Sequence, residues 1–177
     1  MKKIILMIFI INFVFTAVYN TGQTVSVSHQ NMNFPVCYGD YPSNNLKLAD
    51  FNGDLNGGDY KVIFIDMSAS WWGACYSSIG TVENIENYWE DNSAVVSFTA
   101  LSDVGQPYSC NQWGNANQND IPIIVNDGNG FGNQFWSWFE TGSAVPSFAF
   151  IDHNMTVFYK SNYISLSTAN NKINQML

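Results

Sequence analysis

Residues 62–75, VIFIDMSASWWGAC, constrain the fold more than any other part of the chain. Residues 62–65 form an apolar run rich in β-branched side chains, which predicts a buried strand. After Cys75, apolar residues recur every three or four positions, as in an amphipathic helix: Ile79, Val82, Ile85 and Trp89. A buried strand is therefore predicted to run through a short turn into a helix that has Cys75 in its first turn.

Cys75 is predicted to lie where a thiolate is favoured. The unpaired N–H groups and the positive end of the dipole at a helix start stabilise negative charge. They can lower the pKa of a cysteine below its free value of about 8.5. The pattern therefore predicts a reactive thiol at Cys75.

The same turn resembles the active-site turn of thioredoxin-fold proteins, A-x-W-C-x-x-C, whose last six positions fall on residues 70–75. Asp66 lies six positions before the place of the first cysteine and matches the buried acid of thioredoxins. Val145-Pro146 matches the cis-proline that faces their dithiol. One departure is serious, because Trp72 stands where the nucleophilic first cysteine would be.

A second motif narrows the resemblance. Residues 48–54, LADFNGD, are similar to the L-x-D-F-x-G-K lead-in of the TlpA/ResA-like redoxins, which are exported thiol-disulfide proteins related to the AhpC/TSA group. The resemblance extends from about Asn33 to the C-terminus. It implies an α/β, thioredoxin-like fold with a mixed central sheet, helices on both faces and a short N-terminal β extension.

The remaining patterns fit such a fold. Further strands are predicted at residues 94–101, 121–125, 145–152 and 156–160, and further helices at residues 107–113, 131–140 and 165–177. The last two strands are expected to form an antiparallel hairpin. Residues 24–45 alternate weakly and are interrupted by two prolines, which predicts an irregular extension with one or two short strands.

The N-terminus has the features of a secretory signal. Lys2 and Lys3 precede an apolar run over residues 4–15, which is shorter than the roughly 20 apolar residues of a membrane-spanning helix. We predict a signal peptide or signal anchor at residues 1–22, one domain at residues 23–177, and an extracytoplasmic location, periplasmic or secreted. An uncleaved anchor, the one route to the membrane, stays open because residues 16–22 contain no clear cleavage site.

The charge excludes one class of partner. Six lysines and no arginine face fourteen acidic residues, a net charge of −8, and losing Lys2 and Lys3 with a signal would make it 4 − 14 = −10. An acidic surface repels phosphate backbones and offers no basic stripe for counterion release. Nucleic acid is therefore not expected as a partner.

Three cysteines, Cys37, Cys75 and Cys110, follow the signal. An odd number in an exported chain allows one disulfide with one free thiol, or pairing between molecules. Cys37 is interpreted as a half-buried small hydrophobe, because no acid, base or second cysteine lies near it in sequence. The pairing is left open.

Residues 50–59, DFNGDLNGGD, space oxygen ligands as a calcium loop does, but the register fails. From Asp50 the sixth position is Leu55 rather than glycine, and from Asn52 the twelfth is Ile63 rather than glutamate. A glycine-rich turn before the central strand is preferred. No metal and no cofactor are expected.

Three hypotheses about activity stay open. In the first, Cys75 and Cys110 form a displaced redox pair, with Asp66 as a buried proton acceptor. In the second, Cys75 alone forms mixed disulfides. In the third, the fold has lost redox chemistry and serves as a binding domain in which Cys75 is structural.

Thiol-disulfide exchange by an exported protein is the leading prediction, and a redox-inactive binding domain is the alternative. Whether the protein is an enzyme depends on that choice. The resemblance implies protein thiols or disulfides as partners, with substrate contacts from Trp71, Trp72, Val145 and Pro146. Peroxidase chemistry ranks lower, because P-x-x-x-T-x-x-C would need threonine at position 72 and proline at position 68.

Overall fold

The structure is a computed structural model that describes residues 18–117, 123–129, 134–142 and 144–177. Within these ranges the strands form one seven-stranded sheet. They are β1 (Phe34–Tyr38), β2 (Asn45–Leu46), β3 (Val62–Ala69), β4 (Val95–Ser102), β5 (Ile123–Asn126), β6 (Ser147–Ile151) and β7 (Val157–Ser161). The helices are α1 (Val27–Gln30), α2 (Gly53–Asn56), α3 (Gly73–Trp89), α4 (Cys110–Gly114), α5 (Gln134–Phe139) and α6 (Leu166–Met176), with a 3-10 helix at Leu48–Phe51.

β3 is an interior strand of the sheet, whose order is β2-β1-β5-β4-β3-β6-β7. It pairs in parallel with β4, which pairs in parallel with β5. On its other side β3 pairs antiparallel with β6, the first strand of the β6–β7 hairpin. The predicted mixed sheet and the predicted hairpin are confirmed.

Side chains of β3 alternate between two apolar clusters, as the period of a strand requires. Ile63, Ile65 and Met67 pack with the aromatic residues of α5 and with the N-terminal segment on one face. Val62 and Phe64 pack with α3 and α6 on the other face. The sheet is therefore covered by helices on both faces, as predicted, and all eight residues of β3 are buried.

The N-terminal extension belongs to the main sheet. β1 pairs antiparallel with β2 and with β5, so the extension adds two strands at one end of the sheet. The short strands expected there are confirmed, and α1, which is capped by the Ser26 side chain, was not foreseen.

The glycine-rich turn before β3 is organised by Asn56. Its side-chain amide donates to the carbonyls of Asp50 and Asp59 at 2.8 and 2.7 Å, and its side-chain oxygen accepts from the N–H groups of Gly58 and Asp59. Gly57 has a positive φ of 100°, which ends α2 in the left-handed conformation that glycine adopts without strain. The segment is a compact turn that leads the chain into β3.

The chain is already part of the fold at Tyr19. The Tyr19 side chain is 8% exposed in the main apolar cluster, and its N–H donates to the carbonyl of Trp138 at 2.9 Å. Its hydroxyl lies 2.6 Å from Nδ1 of His29, and Lys160 donates to its carbonyl at 2.8 Å. Residues 1–17 of the predicted signal lie outside the described residues, and the boundary at residues 22 and 23 stays a prediction.

The other predicted elements are found within a few residues of their expected bounds. The start of the strand predicted at 121–125 and the start of the helix predicted at 131–140 lie outside the described residues. In the described part of the chain, no helix has both the length and the apolar character needed to span a membrane.

Candidate functional site

The turn between β3 and α3 is tied to the loop that follows β4. The Ser70 hydroxyl donates to the backbone carbonyls of Asp103 and Gln106. The Trp71 indole N–H donates to the Asp103 carboxylate at 2.8 Å. The start of α3 is therefore positioned by two strand ends, as expected where parallel strands finish at one edge of a sheet.

Cys75 lies in the first turn of α3, as predicted, but its thiol is completely buried. Sγ accepts a hydrogen bond from the Ala69 N–H at 3.5 Å. Burial raises the pKa of Cys75 to about 12; the Ala69 N–H opposes this rise and the charge of Asp66 adds to it. The prediction of a lowered thiol pKa is therefore wrong, because loss of water outweighs the helix dipole.

The surroundings of the Cys75 thiol are apolar. It belongs to a cluster formed by α3, α4 and two strand ends: Ile79, Leu101, Cys110, Trp113 and Ile124. Tyr108 and Val145 pack against this cluster. A thiol in such a place is protonated at neutral pH and out of reach of a large substrate unless its cover opens.

Asp66 is the buried acid that the sequence indicated. It lies on the face of β3 that α3 and α6 cover, and it is 2% exposed. Burial raises the pKa of Asp66 to about 7, although hydrogen bonds from Ser68 and Thr99 oppose the rise. The Ser68 hydroxyl lies 2.8 and 3.0 Å from the two carboxylate oxygens, and the Thr99 hydroxyl lies 3.3 Å from one of them.

The disulfide of the structure joins Cys37 to Cys110, not Cys75 to Cys110. Cys75 is the free cysteine. The displaced pair of Cys75 and Cys110 is therefore corrected. The interpretation of Cys37 as a half-buried small hydrophobe is corrected too, because Cys37 is exposed and disulfide-bonded. Closing a loop with a sequence separation of 73 stabilises the fold by about 4 kcal/mol in the chain-entropy account.

The pairing of Cys37 with Cys110 could not be predicted from the residues next to each cysteine in the sequence. Cys37 and Cys110 belong to β1 and α4, and the Tyr38 ring lies so close to Gly114 that a Cβ there would collide with it. The available signal was the odd cysteine count, which allowed one disulfide with one free thiol.

Aromatic rings surround the turn. Trp71 and Trp72 are 44% and 46% exposed, with ring centroids 5.6 Å apart in an edge-to-face arrangement. Tyr76, also exposed, stacks on Tyr108 at 4.9 Å. Tyr76 and Tyr108 were missed from the sequence, because only the fold brings the loop after β4 next to α3.

Val145-Pro146 is a cis peptide bond, as predicted. Met67 of β3 stands opposite Ser147 of β6, so the turn that follows β3 and the two residues that precede β6 lie at the same end of the sheet. Asn162 donates to the Pro146 carbonyl at 3.0 Å. Among the described residues, the Val145 backbone has no hydrogen-bond partner.

Cys75, Asp66, the tryptophan pair and the Val145-Pro146 bond therefore lie at one end of the sheet. Cys110 packs in the same apolar cluster as Cys75, but its sulfur is bonded to Cys37. No group of three or more potential metal-ligating side chains occurs within the ranges that the structure describes.

Comparison with known proteins identifies the fold. No family model matches the sequence. No curated protein matches it either. Mycobacterium tuberculosis DsbF has 14% identity and a TM-score of 0.65, over 87% of this chain and 100% of that chain. A secreted M. tuberculosis disulfide oxidoreductase homologous to E. coli DsbE has 10% identity and a TM-score of 0.62, over 85% and 99%. The exposed lipoprotein thioredoxin Etrx1 of Streptococcus pneumoniae has 14% identity and a TM-score of 0.57, over 81% and 98%.

The domain has a thioredoxin-like fold. At these identities the likeness establishes the architecture alone. In the thioredoxin-like fold of this chain, the turn after β3, the first turn of α3 and the cis-proline before β6 meet at one end of the sheet.

Two further carboxyl groups away from the turn have raised pKa values: Glu86 is partly buried and Asp127 is buried. Burial raises the pKa of Glu86 to about 8, and the nearby charge of Glu90 adds to the rise. Burial raises the pKa of Asp127 to about 7, against hydrogen bonds from the backbone N–H groups at the start of α5. Together with Asp66, these groups make the folded state bind more protons near neutral pH than the unfolded chain does.

Stability is expected to fall as pH rises. A carboxyl whose folded pKa is raised stabilises the fold fully below its unfolded pKa and loses that contribution as pH rises through the folded value. For Asp66, with values of 3.8 and about 7, the loss between pH 5 and pH 8 is about 3 kcal/mol. Asp66→Asn should remove that part of the pH dependence, and urea unfolding at both pH values measures it.

Asp91→Asn is the matched control, because Asp91 is exposed and the same charge is removed. It should leave the pH dependence as in the wild type. An Asp66→Asn protein with the full wild-type difference between pH 5 and pH 8 would contradict the assignment.

Proposed function

We propose that the protein binds extended segments of cysteine-containing polypeptides at a recognition face formed by Trp71, Trp72, Val145 and Pro146. The observation that carries this proposal is that two exposed indoles lie at the same end of the sheet as the Val145 backbone, which has no hydrogen-bond partner among the described residues. Both lie at the end of the sheet where β3 finishes and β6 begins.

Each part of the face has a physical role. Exposed tryptophans supply large apolar contact area, and tryptophan is enriched among the residues that dominate binding energy. The N–H and C=O of Val145, which have no partner within the part of the chain that the structure describes, can pair with an extended peptide as a neighbouring strand would. Aromatic contacts and main-chain hydrogen bonds together suit a polypeptide in extended conformation better than a small molecule.

The kind of polypeptide is suggested by the comparisons. The DsbE homologue is a disulfide oxidoreductase, and DsbF was solved in mixed oxidised and reduced forms. Disulfide chemistry acts on molecules that contain cysteine. In the interpretation of the turn given above, Trp72 occupies the place of the attacking cysteine. A face that keeps the fold but presents an indole there favours binding over attack.

Thiol-disulfide exchange at Cys75 is the second candidate function. The observation in its favour is that the charge of Asp66 acts on the Cys75 thiol, so a proton acceptor lies close to the sulfur. In this reaction the Cys75 thiolate attacks a partner disulfide, forms a mixed disulfide and releases one partner sulfur as a thiolate. Because Cys75 is buried, the reaction requires that Trp113 and its neighbours move first.

An extracytoplasmic location is part of the proposal. The signal pattern supports it, and so does the Cys37–Cys110 bond, because disulfides persist in oxidising compartments. The M. tuberculosis DsbE homologue is a secreted protein, and Etrx1 is an exposed lipoprotein.

Trp72→Ala is expected to weaken polypeptide binding by about tenfold, since truncating a central interface tryptophan removes on the order of 1 to 2 kcal/mol or more. The probe is a reduced and S-alkylated unfolded protein, whose capped cysteines cannot exchange. Calorimetric titration gives the dissociation constant.

Tyr88→Ala is the control for lost aromatic area. Tyr88 is 60% exposed and lies near the opposite end of α3, so its removal should leave the dissociation constant unchanged. Equal weakening by both substitutions, or no measurable binding by the wild type, would contradict the proposal.

Cys75→Ala separates the two candidate functions. Binding to the alkylated probe should be unchanged, because the buried thiol does not reach the surface. If Cys75 exchanges, the wild type should form disulfide-linked complexes with an unalkylated probe whose cysteines are all in disulfides, and Cys75→Ala and Cys75→Ser should both lack them, as seen on non-reducing gels. Such a probe has no free thiol to attack the Cys37–Cys110 disulfide. A wild type that forms no more complex than the two variants rules out exchange at Cys75.

The mature protein is expected to retain Tyr19. A chain that begins at residue 23 would lose a buried aromatic side chain and its hydrogen bonds, at a cost of about 3 kcal/mol. The intact mass of the protein recovered from the extracytoplasmic fraction locates the N-terminus. A mature chain that starts after Tyr19, or protein confined to the cytoplasm, would overturn the proposed processing and export.

A further inference from the structure

We propose that the Cys37–Cys110 disulfide exchanges with external thiols, and that the incoming thiolate attacks the sulfur of Cys37. This activity is separate from binding at the recognition face and from any reaction of Cys75. It gives the protein a redox centre that joins β1 to the start of α4.

The two ends of the disulfide differ in exposure. Cys37 is exposed on β1, whereas Cys110 is 5% exposed within an apolar cluster. Residues of β1 alternate along the strand, so that Phe34 enters the main core while Pro35 and Cys37 face outwards. A disulfide with one accessible half is open to attack at that half, and exposed disulfides are the more easily exchanged ones.

The position of the exposed half favours approach. β1 lies next to the short edge strand β2 in the sheet order, and the residues that follow Cys37 at the end of β1 include the exposed Gly39 and Asp40. On α4, Asn111 and Gln112, which follow Cys110, are exposed as well. A peptide thiol can therefore approach Cys37 over a polar, open surface, without any rearrangement of the core.

The chemistry balances without a further reactant. A thiolate of a partner dithiol attacks Cys37 Sγ, the Cys37–Cys110 bond breaks, and Cys110 leaves as a thiolate that takes up a proton. The second thiol of the partner then attacks the mixed disulfide, and Cys37 leaves. The partner loses two electrons and two protons and gains a disulfide, while Cys37 and Cys110 become thiols.

Access decides which sulfur is attacked, and a small thiol reports it. The native protein is incubated with reduced glutathione, quenched with acid and mapped by peptide mass spectrometry. The adduct is expected on Cys37 in at least about tenfold excess over Cys110, because the rate of exchange depends on access to the attacked sulfur. The adduct should form at a rate proportional to glutathione concentration and unchanged by low urea, as for a reaction of the native state.

A dithiol probe then tests the complete reaction. A reduced synthetic peptide with two cysteines separated by two residues should be converted to its disulfide in equal amount to the protein. The Cys37→Ala/Cys110→Ala double variant should produce none. The glutathione mapping is independent of polypeptide binding, because glutathione is too small to need the recognition face.

Adducts found mainly on Cys110, or adducts that form only when the protein is unfolded by denaturant, overturn the proposal. So does oxidation of the dithiol peptide by the double variant. The mapping on the wild-type protein decides the question even if the double variant does not fold.

Discussion

The burial of β3 on both faces is the constraint on which the rest of the structure depends. Its side chains fill two apolar clusters, so the strand lies in the interior of the sheet, between β4 and β6. Its last residue then fixes where the turn begins, and parallel pairing with β4 brings the loop after β4 to the same edge. The tryptophan pair, the first turn of α3 and the cis-proline before β6 are all positioned by this strand.

The same burial decides the electrostatics of the site. A charge at a helix N-terminus gains about 0.3 to 1 kcal/mol from the dipole. The rise of the Cys75 pKa from 9.0 to about 12 corresponds to about 4 kcal/mol against the thiolate. The cost of desolvating the thiolate therefore exceeds the gain from the helix dipole. Cys75 remains a neutral thiol, although the sequence pattern places it at a position that favours a thiolate.

The architecture could be predicted from the sequence, but only part of the site could. The run at residues 62–65, the helical spacing after Cys75 and the cis bond at Val145-Pro146 were readable because each rests on a local pattern or a motif. The disulfide was not readable, because it joins β1 to α4 across a separation of 73 residues. The burial of Cys75 was not readable either, since the cover over the thiol comes from Trp113 and Tyr108, which lie in a polar segment without a strong pattern.

Asp66 shows how the core tolerates polar groups beneath α3. At pH values below about 7 its carboxyl keeps its proton, and Cys75 keeps its proton over a wider range. Neither group then carries charge, so both can remain in an apolar environment. The Ser68 and Thr99 hydroxyls supply the hydrogen bonds that the buried Asp66 carboxyl needs there. Above that pH the carboxylate disfavours the Cys75 thiolate further, since like charges repel in a medium of low dielectric constant. A buried acid and a buried thiol therefore both remain uncharged at this end of the sheet over the pH range in which each keeps its proton.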